Sequence, residues 1–184
     1  AVVSNSGTSS VTITGTVTQI NDLLNTDGTS TVSYIDATDT PSASATLTLL
    51  VDDNGNTGGG SLTSSDTAVI NITAVNDAPV ATITPATYSA TEQVALTLKN
   101  TGLSISDADA AAGSMTVTLS VTEGTLTVTA GGSGAVVSNS GTSSVTITGT
   151  VTQINNLLNT DGTSTLSYID NIDAPSASAT LTLL

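Results

Sequence analysis

"AVVSNSGTSSVTITGTVTQIN", residues 1–21, stands again without a change at residues 135–155. The offset is 135 − 1 = 134, and carrying it onward aligns 1–50 with 135–184 at 45 of 50 positions. The five differences are Asp22 for Asn156, Val32 for Leu166, Ala37 for Asn171, Thr38 for Ile172 and Thr40 for Ala174. A unit of that length is too long for a solenoid repeat and suits a whole domain, so the chain reads as tandem copies of one module. Within the repeated stretch, "SVTITGT" sets Val11 and Ile13 against Ser and Thr at period two, as a half-buried strand requires. "VTQINDLLN" instead spaces Val17, Ile20, Leu23 and Leu24 along one face of a helix, which predicts one short helix per module.

Working outward, period-two alternation recurs at 43–51, 67–75, 94–99, 115–121 and 124–129, and 80–87 reads as a further strand. Breaks rich in Gly, Asn and Asp separate these runs, such as "DDNGNTGGG", "TEGT" and "AGGSG". The expected fold class is therefore all-β. With three Tyr and no Trp or Phe, the interior must be filled by Val, Ile, Leu and Ala, which suits thin two-sheet sandwiches. No Cys is present, which excludes a disulfide framework and a thiolate metal site. A formal net charge of −14 excludes nucleic acid and anionic membrane as partners and favours multivalent cations. No apolar run is long enough to insert in a membrane.

"NDAPV", 76–80, marks the seam between modules, because Pro79 cannot donate to a ladder and a fresh strand begins at Val80. Residues 1–77 then represent the C-terminal part of one module. Residues 78–184 represent the N-terminal part of the next, without a counterpart of 51–77 and its last strand. The ends fall inside a module, so the chain is expected to be a window on a longer array, or pieces completed by neighbouring chains.

The acids gather at this seam. If 80–87 leaves it and 93–100 returns, the loop 101–114 with Asp107 and Asp109 lies beside Asn76 and Asp77. By the same counting of strand directions, "YIDATDTP" brings Asp36 and Asp39 to the seam from the other side. Calcium takes six to eight hard oxygens, and clustered carboxylates without cations repel unless a divalent ion joins them. Asp36, Asp39, Asn76, Asp77, Asp107 and Asp109 are thus the candidate calcium ligands. A second tier comprises Asp52, Asp53 and Asn54 in the Gly-rich loop, Asp66 beyond it, and Glu92, Asp170 and Asp173, which are expected at the far end of the second module. Glu123, in the "EGT" turn, is expected to be solvated only.

"LLVDDNGNTGGGSLTSSDTAVINITAVNDAPVATI" resembles the cadherin-like and VCBS-type tandem repeats of large bacterial surface adhesins, with "YSATEQ", "SISDADAAAG" and "VTLSVTEGTLTV" in matching order. The chain departs from cadherins at Ala74, where they place an Asp, and it has no Asp-Arg-Glu triplet. The resemblance implies Ig- or cadherin-like β-sandwich modules at an extracellular bacterial cell surface, with calcium at the junctions and identical repeats as neighbours. The expected function is that of a calcium-stiffened extender. The alternative is a subunit of an extracellular filament or matrix fibre, a homopolymer built by strand complementation between chains. No His or Cys is available to activate a nucleophile, so no enzymatic activity is expected.

Overall fold

The computed structural model describes residues 1–184 and divides them into two compact units, Ala1–Thr38 and Asp39–Leu184. The repeat seam at Asp77–Ala78 lies inside the second unit.

In the first unit, β1 (Val2–Ser4) and β2 (Thr12–Thr14) pair antiparallel, with Val3 opposite Ile13. Helix α1 (Val17–Asn21) follows and runs directly into a π-helical turn at Asp22–Thr26. Its start is fixed locally. The Thr16 hydroxyl accepts from the Gln19 N–H at 3.3 Å, and the Gln19 side chain accepts from the Thr16 N–H at 3.0 Å, a reciprocal capping box. No residue of this unit is buried.

The second unit begins with a hairpin, β3 (Ser44–Asp52) and β4 (Thr63–Asn71), paired over nine positions. After the linker come β5 (Val80–Ile83), β6 (Leu96–Thr97), β7 (Leu103–Ser106), β8 (Met115–Val121) and β9 (Thr125–Thr129). Then follow β10 (Val136–Ser138), β11 (Ser144–Gly149), α2 (Val151–Asn155) with its π turn at Asn156–Thr160, β12 (Thr165–Ile169) and β13 (Leu181–Leu183). Beyond the β3–β4 hairpin, these strands form a four-stranded sheet β10-β11-β8-β13, a three-stranded sheet β6-β12-β9 and the pair β5-β7, all antiparallel. Leu119 and Ile147 from the first sheet, Leu126 and Leu166 from the second, Leu103 from the pair, and Leu157 and Leu158 from the π turn share one core.

The protein is thus β-rich, with one short helix per repeat, as expected. Four strands escaped the alternation argument. The segment 103–106 was expected within a loop, and none of 2–4, 136–138 and 165–169 stood out. All four are five residues or fewer, too short for a period to declare itself against Ser- and Thr-rich surroundings. The expected strands at 80–87 and 94–99 shrink to Val80–Ile83 and Leu96–Thr97.

Gly102, just ahead of β7, holds φ at +101°, and a Cβ there would collide with the Thr84 carbonyl oxygen. The collision is with backbone that is itself fixed, since the Thr84 N–H donates to the Gly102 oxygen at 2.9 Å. Gly102→Ala is therefore expected to cost about 2–4 kcal/mol, from left-handed strain plus overpacking. Gly7→Ala, at φ +82° with nothing within 4 Å, isolates the strain alone and should cost about 1 kcal/mol. Urea midpoints of the two variants check this, and equal losses would show that the close approach is relieved.

A candidate cation-binding junction

The β5–β7 ladder sets the geometry of the seam. Val80 lies opposite Ser106, so the residue after β7, Asp107, is brought beside the linker that precedes β5. The Asp77 N–H donates to Asp109 Oδ2 at 3.0 Å, across 32 residues of sequence. Asp107 Oδ1 in turn accepts from the N–H groups of Asp109 and Ala110, at 3.2 and 3.1 Å. The Asp109 carboxyl is held below its ordinary range, first by the Asp77 N–H and next by a hydrogen bond shared with Asp107. Asn76 turns its amide onto the Asp77 carbonyl at 2.9 Å. Of the expected meeting between linker and loop, the fold brings together Asp77 and Asp109, while Asn76 bonds within the linker.

Most of the other acids are held by hydrogen bonds within their own segments. Asp36 belongs to the first unit, where its Oδ1 accepts from the Thr38 N–H at 3.0 Å and hydroxyl at 2.6 Å. Asp39 opens the second unit and is exposed. Asp52 accepts from the Asn54 N–H at 2.8 Å and from the Ser61 hydroxyl. Asp53 accepts from the N–H groups of Gly55 and Leu62, both at 2.9 Å, which closes the Gly-rich loop on itself. Asn54 stands at φ +53° in that turn, and Asp66 accepts from the Thr67 N–H at 2.8 Å.

Asp170 and Asp173 do come together with the 91–94 turn, as their expected common end requires. The Gln93 N–H donates to the Asp170 carbonyl at 2.6 Å, and the Gln93 amide donates to Asp173 Oδ1 at 2.7 Å. The Asp170 side chain is buried, with Oδ1 accepting from the Ile172 N–H at 3.0 Å. Glu92 and Asp170 both line a cleft of about 420 Å³ that runs between Tyr88, Leu98, Val121 and Leu181. Glu123 is not merely solvated. It accepts from the Ser176 N–H at 2.7 Å and hydroxyl at 2.5 Å, and so ties the β8–β9 turn to the segment that leads into β13. Those two donors, the hydroxyl first, hold its carboxyl below the ordinary range. Nothing in the alternation or turn pattern signals a contact 53 residues away.

The only side-chain cation is committed elsewhere. Lys99 donates to the backbone oxygens of Asp161 and Ser164, the latter at 3.0 Å. The Asp161 carboxylate gathers the same loop, accepting from the Thr163 N–H and hydroxyl, the Ser164 N–H and the Gly132 N–H at 2.9, 2.8, 2.6 and 3.2 Å. These donors, Thr163 foremost, pull its pKa down to about 2 from an ordinary 3.8. A depressed carboxylate pKa stabilises the fold above the unfolded value, and that contribution disappears as pH falls through the folded one. Acidification from about pH 4 to pH 2 is therefore expected to erode stability more in the wild type than in Asp161→Asn. Urea midpoints at pH 5, 3 and 2 check this, and parallel curves would remove Asp161 from the acid transition. Asp27, its counterpart, takes the Thr29 N–H and hydroxyl but no donor from a Gly132 equivalent, so Asp27→Asn should change the curve less.

As a donor set, Asp107 and Asp109 supply adjacent carboxylates, and the backbone of Asp77 lies beside them. That is hard-oxygen chemistry suited to calcium. No group of three or more acidic side chains converges tightly enough to hold a metal by carboxylates alone, so carbonyl oxygens and water have to complete any shell. No helix is long and apolar enough to cross a membrane. No protein-family model, no curated protein and no solved structure matches the chain.

Proposed function

We propose that this chain is part of a calcium-stiffened extender on a bacterial cell surface, built from tandem sandwich modules of the cadherin-like and VCBS type. It acts structurally rather than catalytically, with identical repeats as its neighbours. The observation that carries this reading is the 3.0 Å hydrogen bond from the Asp77 N–H to Asp109. A linker residue is the one place from which two modules can be touched at once, and here the linker backbone is in contact with an acidic pair. A divalent ion held by Asp107, Asp109 and the Asn76–Asp77 oxygens would replace carboxylate repulsion with attraction and fix the linker on the second repeat. Small-angle scattering of the chain, first with calcium and then with chelator, tests this. A narrower distribution of dimensions in calcium is expected, and superimposable profiles would remove calcium from the reading.

A second reading, an extracellular fibre assembled by strand complementation, is favoured by the β3–β4 hairpin. Leu47, Leu49 and Val51 lie along one face of it, each more than half exposed. An unpartnered apolar sheet face of this kind is unusual in a chain that stays alone.

A further inference from the structure

We propose that the β3–β4 hairpin of one molecule docks onto the β8 edge of a second copy of this chain, taking the seat that β13 occupies there. The proposal deepens the fibre reading and does not depend on calcium.

The repeat shows where a strand of the same sequence is seated. "PSASATLTLL" occurs at 41–50 and again, unchanged, at 175–184. In the second copy this segment is β13, paired with β8 so that Leu181 faces Val121 and Leu183 faces Leu119, and Leu183 is buried in the core. In the first copy the same segment is β3, with the corresponding Leu47 and Leu49 exposed. A surface identical to β3 thus already has a seat in this molecule.

The backbone agrees. Around β13, Leu184 exchanges both hydrogen bonds with Thr118, at 2.8 and 2.9 Å, and the Thr180 carbonyl accepts from Thr122 at 3.1 Å. Even-numbered residues therefore face β8, and Leu181 and Leu183 turn their polar backbone groups to the open edge. In β3 the other set is used. Ala43 accepts from Ile72 at 2.9 Å and Asp53 donates to Leu62 at 3.1 Å, at the two ends of a ladder that places Leu47 opposite Ala68. One copy shows this strand bonded through one edge, and the other copy shows it bonded through the opposite edge. In hydrogen-bonding terms, a β3 seated on β8 can keep its bonds to β4.

Pair counts favour docking of the whole hairpin over transfer of β4 alone. β13 holds β8 over three ladder positions, whereas β3 and β4 share nine. Moving β4 onto the open edge of β13 breaks the longer ladder. Exchanging β13 for β3 breaks only the shorter one, and it extends pairing along β8 towards Met115, with Val51 opposite Val117 if the register shifts by 134. The cleft of about 420 Å³ beside Leu181 lies where Ala68 and Ile70, on the same face as Leu47, would arrive.

The test uses the 184-residue chain, which has no cysteine of its own. Thr182 faces Ser120, so the proposal places Thr48 of a second copy there, at the roughly 5.5 Å Cα separation of a bonded antiparallel pair, which a disulfide spans. T48C chains mixed with S120C chains are expected to form a covalent heterodimer under mild oxidation. Adding L47D to the T48C chain, a change the exposed site tolerates in the monomer, should lower the yield about tenfold or more by burying a charge. In a T182C/S120C chain, oxidation locks β13 in its seat and should abolish concentration-dependent sedimentation, with reduction restoring it. Association without the 48–120 link, or with a link between T67C and T182C instead, overturns this seat and leaves the fibre reading standing. Monomeric sedimentation at all concentrations overturns both.

Discussion

Leu157→Ala is expected to lower the unfolding free energy by about 2–5 kcal/mol, while Leu23→Ala, the same substitution in the other copy of the repeat, should cost less than about 1 kcal/mol. The two leucines have the same sequence neighbours apart from Asp22 and Asn156. Both sit in a π turn that follows a capped helix. Leu157 is fully buried among Leu103, Ile154 and Leu166, whereas Leu23 is only half-buried in a unit without a core. Removing Leu157 therefore forfeits both its transfer free energy and the packing around the void, and removing Leu23 forfeits part of the first term. Urea denaturation of the two variants, followed by far-UV circular dichroism, reads the difference directly. Equal shifts would mean that the first copy is packed as tightly as the second.

Calcium is expected to raise the melting temperature by several degrees, since a ligand at one hundred times its Kd adds about 2.7 kcal/mol to the folded state. Magnesium should do less, because it demands a tighter octahedral shell. The shift should vanish in Asp107→Ala and in Asp109→Ala, which remove the carboxylates beside the linker. Asp77→Ala should weaken it by less, because the backbone N–H that reaches Asp109 survives the substitution. Glu123→Ala provides the contrast. It releases Ser176 and so lowers the melting temperature in chelator, but the increment from calcium should remain. Unchanged melting in calcium would leave the seam acids as turn residues. A shift that persists in an Asp107→Ala/Asp109→Ala double variant would move the ion to another cluster, Asp170 and Asp173 being the next to test.

The contact of the linker with Asp109 was legible because strand direction is a parity argument, whereas nothing brings Asp36 or Asp39 to it. Once 80 begins a strand at the linker and the chain must return, the acids near 107 have to lie beside it, and the β5–β7 ladder puts them there. The return proved to be β7 itself, not the strand expected at 93–100, but the parity was the same. The role of Glu123 was not legible. Its partner Ser176 is brought in only by the β8–β13 pairing, which nothing local announces.

The repeat separates the two kinds of information, since nearly one sequence is folded twice. The β1–β2 pairing and the β10–β11 pairing have the same register, Val2 with Thr14 and Val136 with Thr148. Thr16 with Gln19 and Thr150 with Gln153 build the same capping box, and each helix passes into the same π turn. These features need only residues within a few positions or one short turn, so the sequence determined them wherever it stood. "TVSYI" at 31–35 and "TLSYI" at 165–169 behave otherwise. The second is β12, bonded to β9 on one side and β6 on the other, with Tyr168 8% exposed. The first forms no strand, and Tyr34 is 52% exposed. A β-strand satisfies its backbone only through partners, and those partners come from residues 96–97 and 125–129, for which the first copy has no counterpart within residues 1–184. The capping boxes and hairpins were therefore written in the sequence, whereas the strands that close the sheets were decided by tertiary structure, because half of every β-ladder is supplied from elsewhere.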